Sequence, residues 1–411
     1  MDEQPLIYDW NVEGDYSAPM PRRTELDDET LRDGLQSPSV RSPSLPDKLR
    51  ILHYMADLGI QSANIGLPGA GDAVKRDVIA LARAIADERL RISPNCAART
   101  LQVDIDPIIE ASDAAGIAIE AAVFIGSSPI RQYAEGWTLD RMLRHTVEAV
   151  SYAVAAGLPV MYVTEDTTRA QPETLRQLYT AAIEAGARRV CLADTVGHAT
   201  PDGVWNLVTF MRGVIAGSGE TVKLDWHGHN DRGLGLINSL TAAFAGADRL
   251  HGTALGIGER VGNTAIDQIL VNLTLLGWIE SDLSQLGDYC DFVARVTGVD
   301  IPPTYPVLGR DAFRTATGVH AAAVIKALRK GDAWLANRVY SGVPAEYFGR
   351  AQVIEIGPMS GQSNVVYWLE TRGIEPVPAV IEAIVRKCKS VDHLLSEDEV
   401  MDVVRAQGVH V

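Results

Sequence analysis

The chain has few cysteines, no basic tract and no long apolar run. Its 411 residues hold four cysteines, Cys96, Cys191, Cys290 and Cys388, widely scattered and without a CxxC pair. Neither a disulfide framework nor a zinc–thiolate site is expected from such spacing, which suits a reducing, cytoplasmic setting. Lysine and arginine number 37 against 53 aspartates and glutamates, a net charge of −16. Nucleic acid and anionic membranes are therefore not expected as partners. Small anions remain possible where a local arginine or a metal does the work. The start, Met1-Asp2-Glu3-Gln4-Pro5, is acidic where a signal peptide is basic, and no apolar run matches the thickness of a bilayer.

Hydrophobic residues make up 46% of the chain, enough for a large core. Residues 1–22 are polar, proline-containing and carry Tyr8, Trp10 and Tyr16, which reads as an N-terminal arm. From Arg23 a repeat sets in. Short β-branched runs alternate with amphipathic stretches in which Leu49, Leu52, Ala56 and Leu58, then Val74, Ile79, Ala82 and Ile85, recur near helical spacing. Several stretches end in a small residue and glycine: Gly59, Gly116, Gly157, Gly186 and Gly246 each suit the left-handed position that stops a helix. Eight strands are predicted, at residues 24–28, 61–67, 91–97, 119–125, 159–165, 189–193, 222–227 and 249–255. This alternation predicts an α/β fold, a (β/α)8 TIM barrel over 23–277. An open doubly wound sheet is the alternative, but the glycine-rich phosphate turn that follows its first strand is missing after Asp28. Residues 278–411 read as a smaller, mostly helical C-terminal region over the barrel mouth, without a large regulatory domain.

The stretch Asp225-Trp226-His227-Gly228-His229-Asn230-Asp231 closes the seventh strand. Period-two alternation points Asp225, His227 and His229 the same way. Two imidazoles so placed can grip one metal ion, or each can be a hydrogen-bonded histidine at a strand end. The metal reading is favoured by the pair and the Asn-Asp that follows. In a barrel the catalytic groups belong at the C-terminal strand ends. Those ends here are rich in carboxylates, imidazoles and arginine.

The first strand runs into Asp28-Glu29-Thr30-Leu31-Arg32-Asp33-Gly34-Leu35-Gln36. With the His227-Gly228-His229 strand end and Gly256-Ile257-Gly258-Glu259-Arg260-Val261-Gly262-Asn263, this resembles the DRE-TIM metallolyase superfamily. The Gly-Glu-Arg-x-Gly-Asn form is similar to its acyltransferase branch, the isopropylmalate, homocitrate and citramalate synthases. That resemblance implies one divalent metal (Mg, Mn, Zn or Co) on Asp33, His227 and His229, with Asn263 a further contact. One carboxylate and two imidazoles leave open positions on a six-coordinate ion, which an α-keto acid can fill. Arg32 is placed to stabilise an alkoxide on the keto oxygen, or to pair with a strand-end carboxylate.

The resemblance also gives Thr195 a hydrogen bond to the keto-acid carboxylate. Gln36, Asn64 and Arg99 join it as expected substrate contacts. Glu165 and His320 are implied to remove a proton from the methyl group of acetyl-CoA, the co-substrate. Tyr340 roughly matches a tyrosine of the same region, and in the family such residues can reach across a homodimer interface. The implied reaction condenses acetyl-CoA with an α-keto acid to a 2-substituted malate and CoA.

The chain departs from this pattern at the substrate-facing rim. Asn64 stands where glutamate is usual, Arg131 where histidine is common, and Ala322 where an aspartate is usual. Gly34-Leu35-Gln36 is closer to the lyase branch, so carbon–carbon cleavage of the hydroxymethylglutaryl-CoA-lyase type is the alternative. A non-catalytic barrel should have lost a metal ligand or the arginine, and none is lost.

Overall fold

The structure, a computed structural model, describes residues 6–9, 11 and 24–409. The arm at 1–22 lies, apart from 6–9 and 11, outside the described residues. The described chain divides into two compact units. Among the described residues, the first runs through Ser281 and takes in Phe292–Val299; the second comprises Asp282–Asp291 and 300–409.

The first unit is a closed barrel of eight parallel strands in sequence order. They are β1 (Glu25–Asp28), β2 (Ser62–Asn64), β3 (Ser93–Arg99), β4 (Glu120–Gly126), β5 (Val160–Glu165), β6 (Arg189–Asp194), β7 (Lys223–Gly228) and β8 (Arg249–Gly252). Closure comes from β1 pairing β8, with Glu25 beside Arg249 and Asp28 beside Gly252. All eight predicted strands form. The last is shorter than expected because Leu255 turns to φ +57°.

Helices follow each strand: α1 (Leu45–Asp57), α2 (Asp72–Glu88), α3 (Gln102–Ala115), α4 (Pro129–Glu135), α5 (Leu139–Ala155), α6 (Pro172–Glu184), α7 (Pro201–Ser218), α8 (Gly235–Ala245) and α9 (Ile266–Leu275). The five stop glycines all have positive φ, from +68° at Gly116 to +115° at Gly246. Of the expected helical apolar positions, Leu52, Leu58, Ala82 and Ile85 are buried. Leu49, Ala56, Val74 and Ile79 flank a stripe whose centre is Ile51, Met55, Val78 and Leu81. Ala121 and Val123 of β4, and Leu224 and Trp226 of β7, are fully buried. By strand alternation their neighbours Ala122 and Phe124, and Asp225 and His227, face the barrel interior.

That interior is unusually charged near the N-terminal strand ends. Arg249 Nε donates to Asp225 Oδ2 at 2.6 Å and its Nη2 to Glu120 Oε2 at 2.8 Å. Arg189 joins Asp225 and Glu25 at 2.7 and 2.9 Å. Buried ions cost several kcal/mol each unless well paired, so this ring holds only as a complete network.

Helix α10 (Leu286–Thr297) carries residues of both units. The second unit holds α11 (Gly318–Arg329), α12 (Ala333–Ala336), α13 (Gln362–Glu370), α14 (Pro378–Lys389) and α15 (Glu397–Ala406). It also holds a two-stranded parallel pair, β9 (Arg314–Thr315) and β10 (Val353–Ile354). Val365, Trp368 and Leu369 pack with Val380, Ile384, Val400 and Val404, each helix offering one apolar face. No described helix is long and apolar enough to cross a membrane.

Candidate active site

A cavity of about 330 Å³ opens at the C-terminal strand ends. Arg32, Asp33, Gln36, Asn64, Glu165, Thr195, His227 and His229 all line it, so eight of the expected residues meet in one place. Leu67, Ala97, Ala122, Phe124, Val163 and Ala193 form its apolar wall.

The metal-type ligands sit close together. Asp33 Oδ2 is 3.6 Å from Nε2 of His227 and 3.6 Å from Nε2 of His229. These spacings are too long for hydrogen bonds, yet the three ligand atoms converge on one point. Asn263 is brought in by the loop after β8. Its Nδ2 donates to Asp33 Oδ2 at 2.7 Å, while its Oδ1 is buried with no partner. The loop folds back tightly, and a Cβ at Gly262 (φ +96°) would collide with the Gly256 carbonyl. An orphaned buried oxygen beside a carboxylate and two imidazoles fits a divalent ion. Electrostatics agrees. Burial, then the His227 charge, pushes the His229 pKa down to about 4, leaving a neutral nitrogen lone pair. Burial opposes ionisation of Asp33, but Arg32 and the two histidines outweigh it and hold its pKa below the usual range.

Arg32 meets the ion-pair expectation. It pairs with Glu29 at 2.7 Å and Asp33 at 2.8 Å, and its side chain still lines the cavity. Asn64, buried at the end of β2, can turn its amide oxygen to accept from Arg32 Nε at 3.2 Å.

Glu165 ends β5, and the next residue, Asp166, has φ +57°. That turn is held by Arg169 on the Asp166 carboxylate at 2.7 Å and by Thr195 Oγ1, which accepts from Asp166 N at 2.8 Å. A non-glycine residue in this region costs of order 1–3 kcal/mol and marks a constrained site. Because the Thr195 oxygen is the acceptor there, its O–H remains to donate. Burial raises the Glu165 pKa, partly offset by Arg131 at 3.4 Å.

Arg99 stands apart from the cavity. Alternation places it inward after Asn95 and Ala97, but it does not line the cavity. Asp104, in the first turn of α3, is buried and needs a cation; Arg99 Nε meets it at 2.6 Å, with the arginine side chain 60% exposed. His320 and Tyr340 lie in the second unit. There they stack with ring centroids 4.2 Å apart.

Sequence reasoning left Glu29 and His251 without a role, and both line the cavity. His251 Nε2 meets Asp225 Oδ2 at 3.0 Å and its Nδ1 meets Glu29 Oε1 at 3.2 Å. Burial disfavours its charge, but Asp27, Asp225 and Glu29 overrule it and raise its pKa to about 10. The signal was available: Arg249 and His251 share the inward parity of β8.

Comparison with known proteins agrees with this geometry. The HMGL-like family model matches residues 23–293. A protein of Methanopyrus kandleri named probable 2-isopropylmalate synthase is 34% identical over 374 residues, 90% of this chain and 70% of its own. Homocitrate synthase AksA of the same organism is 32% identical over 374 residues, 90% of this chain and 88% of its own. Among solved structures, the Bacillus subtilis HMG-CoA lyase superposes with a TM-score of 0.57 at 22% identity, covering 69% of this chain and 97% of that one, a likeness of fold. The chain thus belongs to the HMGL-like family of DRE-TIM barrels, in the branch that holds the 2-isopropylmalate and homocitrate synthases.

Proposed function

We propose that the protein is a 2-alkylmalate-synthase-type acyltransferase, condensing acetyl-CoA with an α-keto acid. The observation that carries this reading is the convergence of Asp33, His227, His229 and Arg32 on one cavity with Glu165. Asp33, His227, His229 and Asn263 would hold a divalent ion. When bound, such an ion supplies Lewis-acid polarisation of a keto carbonyl.

The remaining roles fall to the chain's own groups. Arg32 stabilises the alkoxide that develops on the keto oxygen. Thr195 donates its free O–H to the keto-acid carboxylate. Gln36 and Asn64 line the same space. The proton on the acetyl-CoA methyl group passes to His320, with Glu165 as its partner. The carbon nucleophile so formed attacks the keto carbon, and water then cleaves the thioester, releasing CoA and a 2-substituted malate. The cavity's arginines are already paired, Arg32 with Glu29 and Asp33, and Arg260 with Asp231 at 2.8 Å. Its wall is apolar. Both features favour a keto acid with an uncharged side chain. We also read the protein as a cytoplasmic homodimer. Val319 and Met359, 72% and 70% exposed and flanking Gly318, offer an apolar surface to a second copy.

The test is free CoA release from acetyl-CoA across a keto-acid panel, with a chelator control. Chelator-sensitive release with an aliphatic keto acid is expected. No release with any keto acid, together with carbon–carbon cleavage of a hydroxymethylglutaryl-CoA-type substrate to acetyl-CoA and a keto acid, would reassign the chain to lyase chemistry.

A further inference from the structure

We propose that Glu29, which stands outside the ligand set, is the positioning carboxylate of this site, fixing the tautomer of His227 and the aim of Arg32 together. The proposal rests on the reading of Asp33, His227 and His229 as metal ligands.

Glu29 follows β1 and is 2% exposed. Its oxygens are divided between two tasks. Oε1 accepts from Arg32 Nη2 at 2.7 Å, and Oε2 lies 2.7 Å from His227 Nδ1. A carboxylate present only to neutralise Arg32 would have no reason to spend its second oxygen on an imidazole. The Glu29 charge 2.7 Å from Nδ1 favours the proton on that nitrogen, which puts the lone pair of His227 on Nε2, the atom 3.6 Å from Asp33 Oδ2. That is the tautomer a ligand needs, and carboxylate partners of this kind orient metal-binding histidines. His229 lacks such a partner, since its Nδ1 is buried and unbonded. One of the two imidazoles is therefore held from behind and the other is not. Glu29 is held in turn by His251, whose Nδ1 meets Oε1 at 3.2 Å and whose Nε2 meets Asp225. A chain of contacts thus runs from the charged floor of the barrel through His251 and Glu29 to His227. Arg32 shares the arrangement, because its other arm holds Asp33 Oδ1 at 2.8 Å, leaving Oδ2 turned toward the histidines.

The experiment measures Mn²⁺ affinity of the full chain with the metal alone, by electron paramagnetic resonance, for wild type, Glu29→Ala, Glu29→Gln and His227→Ala. Glu29→Ala is expected to weaken Mn²⁺ binding by about 10–100-fold. Glu29→Gln keeps the shape and one acceptor oxygen, and is expected to recover part of that loss. It also carries the test if Glu29→Ala does not fold. Wild-type affinity in a folded Glu29 variant, alongside lost binding in His227→Ala, overturns the positioning role and leaves the metal site standing. Undiminished binding in His227→Ala overturns the metal reading itself, and this proposal with it.

Discussion

His320 and Tyr340 lie ring against ring, 4.2 Å between centroids and 32° between planes. Both are exposed, so no core packing holds either one in place. An aromatic pair is worth about 0.5–1.5 kcal/mol beyond its buried area, enough to bias one rotamer of an exposed imidazole. Tyr340→Phe keeps the stack and loses the hydroxyl; Tyr340→Ala loses both. If Tyr340 orients His320, Tyr340→Ala should lower kcat by up to about tenfold, and Tyr340→Phe should stay near wild type. Equal losses in the two variants would assign the role to the hydroxyl instead, read from steady-state CoA release.

His227→Ala removes one of three convergent ligand atoms and the partner of Glu29. Metal-dependent turnover should be abolished, and the purified variant should retain little divalent metal by elemental analysis. Dialysis of the wild type against a chelator should abolish turnover in the same way, with recovery on adding back Mg²⁺, Mn²⁺, Zn²⁺ or Co²⁺. A metal-replete His227→Ala enzyme with the wild-type rate would sink the site assignment.

Glu165 titrates above the ordinary carboxylate value because burial disfavours its anion, and Arg131 holds that rise in check. On the proposed mechanism the group works as its anion. A raised pKa means the ionised form is lost at a higher pH on acidification, so the acidic limb of kcat/KM should lie above pH 4.5. Removing the Arg131 charge with Arg131→Leu lets the pKa rise further, and the limb should move to higher pH with the alkaline plateau little changed. A limb that stays put, or moves down, would rule Glu165 out as the titrating group.

The barrel was legible because two periods are written plainly in the chain: β-branched runs of strand length, and helices ended by glycines at φ above zero. The cluster of Asp33, His227 and His229 was legible because the histidines are two residues apart at the end of β7, and Asp33 follows β1 in a motif of its own. Glu29 and His251 were not. Neither belongs to a spaced pair, and their meaning comes from β1 and β8 being neighbours across the barrel seam, with Asp27 beside His251 in register. Sequence separation of 222 residues hides that contact. Arg99 is the opposite case. Its parity was correct for an inward residue, but a nearby buried carboxylate on α3 claimed its charge, which strand alternation alone does not reveal.

The charged floor beneath the site makes its own demand. Arg249 has a 4% exposed side chain and binds Asp225, Glu120 and the Ser62 hydroxyl, at 2.6, 2.8 and 3.0 Å. Arg249→Leu fills similar space with an apolar group but leaves Asp225 facing only Arg189 and His251, and Glu120 facing Arg189 at 3.4 Å. Removing one partner from a buried network costs about 3–5 kcal/mol, since the remaining charges are stranded in a medium that solvates them poorly. Arg249→Lys keeps the charge and gives up the fork, so it should cost less. Denaturant unfolding of the three proteins measures the order. A loss below about 1 kcal/mol for Arg249→Leu, near the level of an exposed ion pair, would mean that the apolar layers between strands and helices close the barrel without help from this ring.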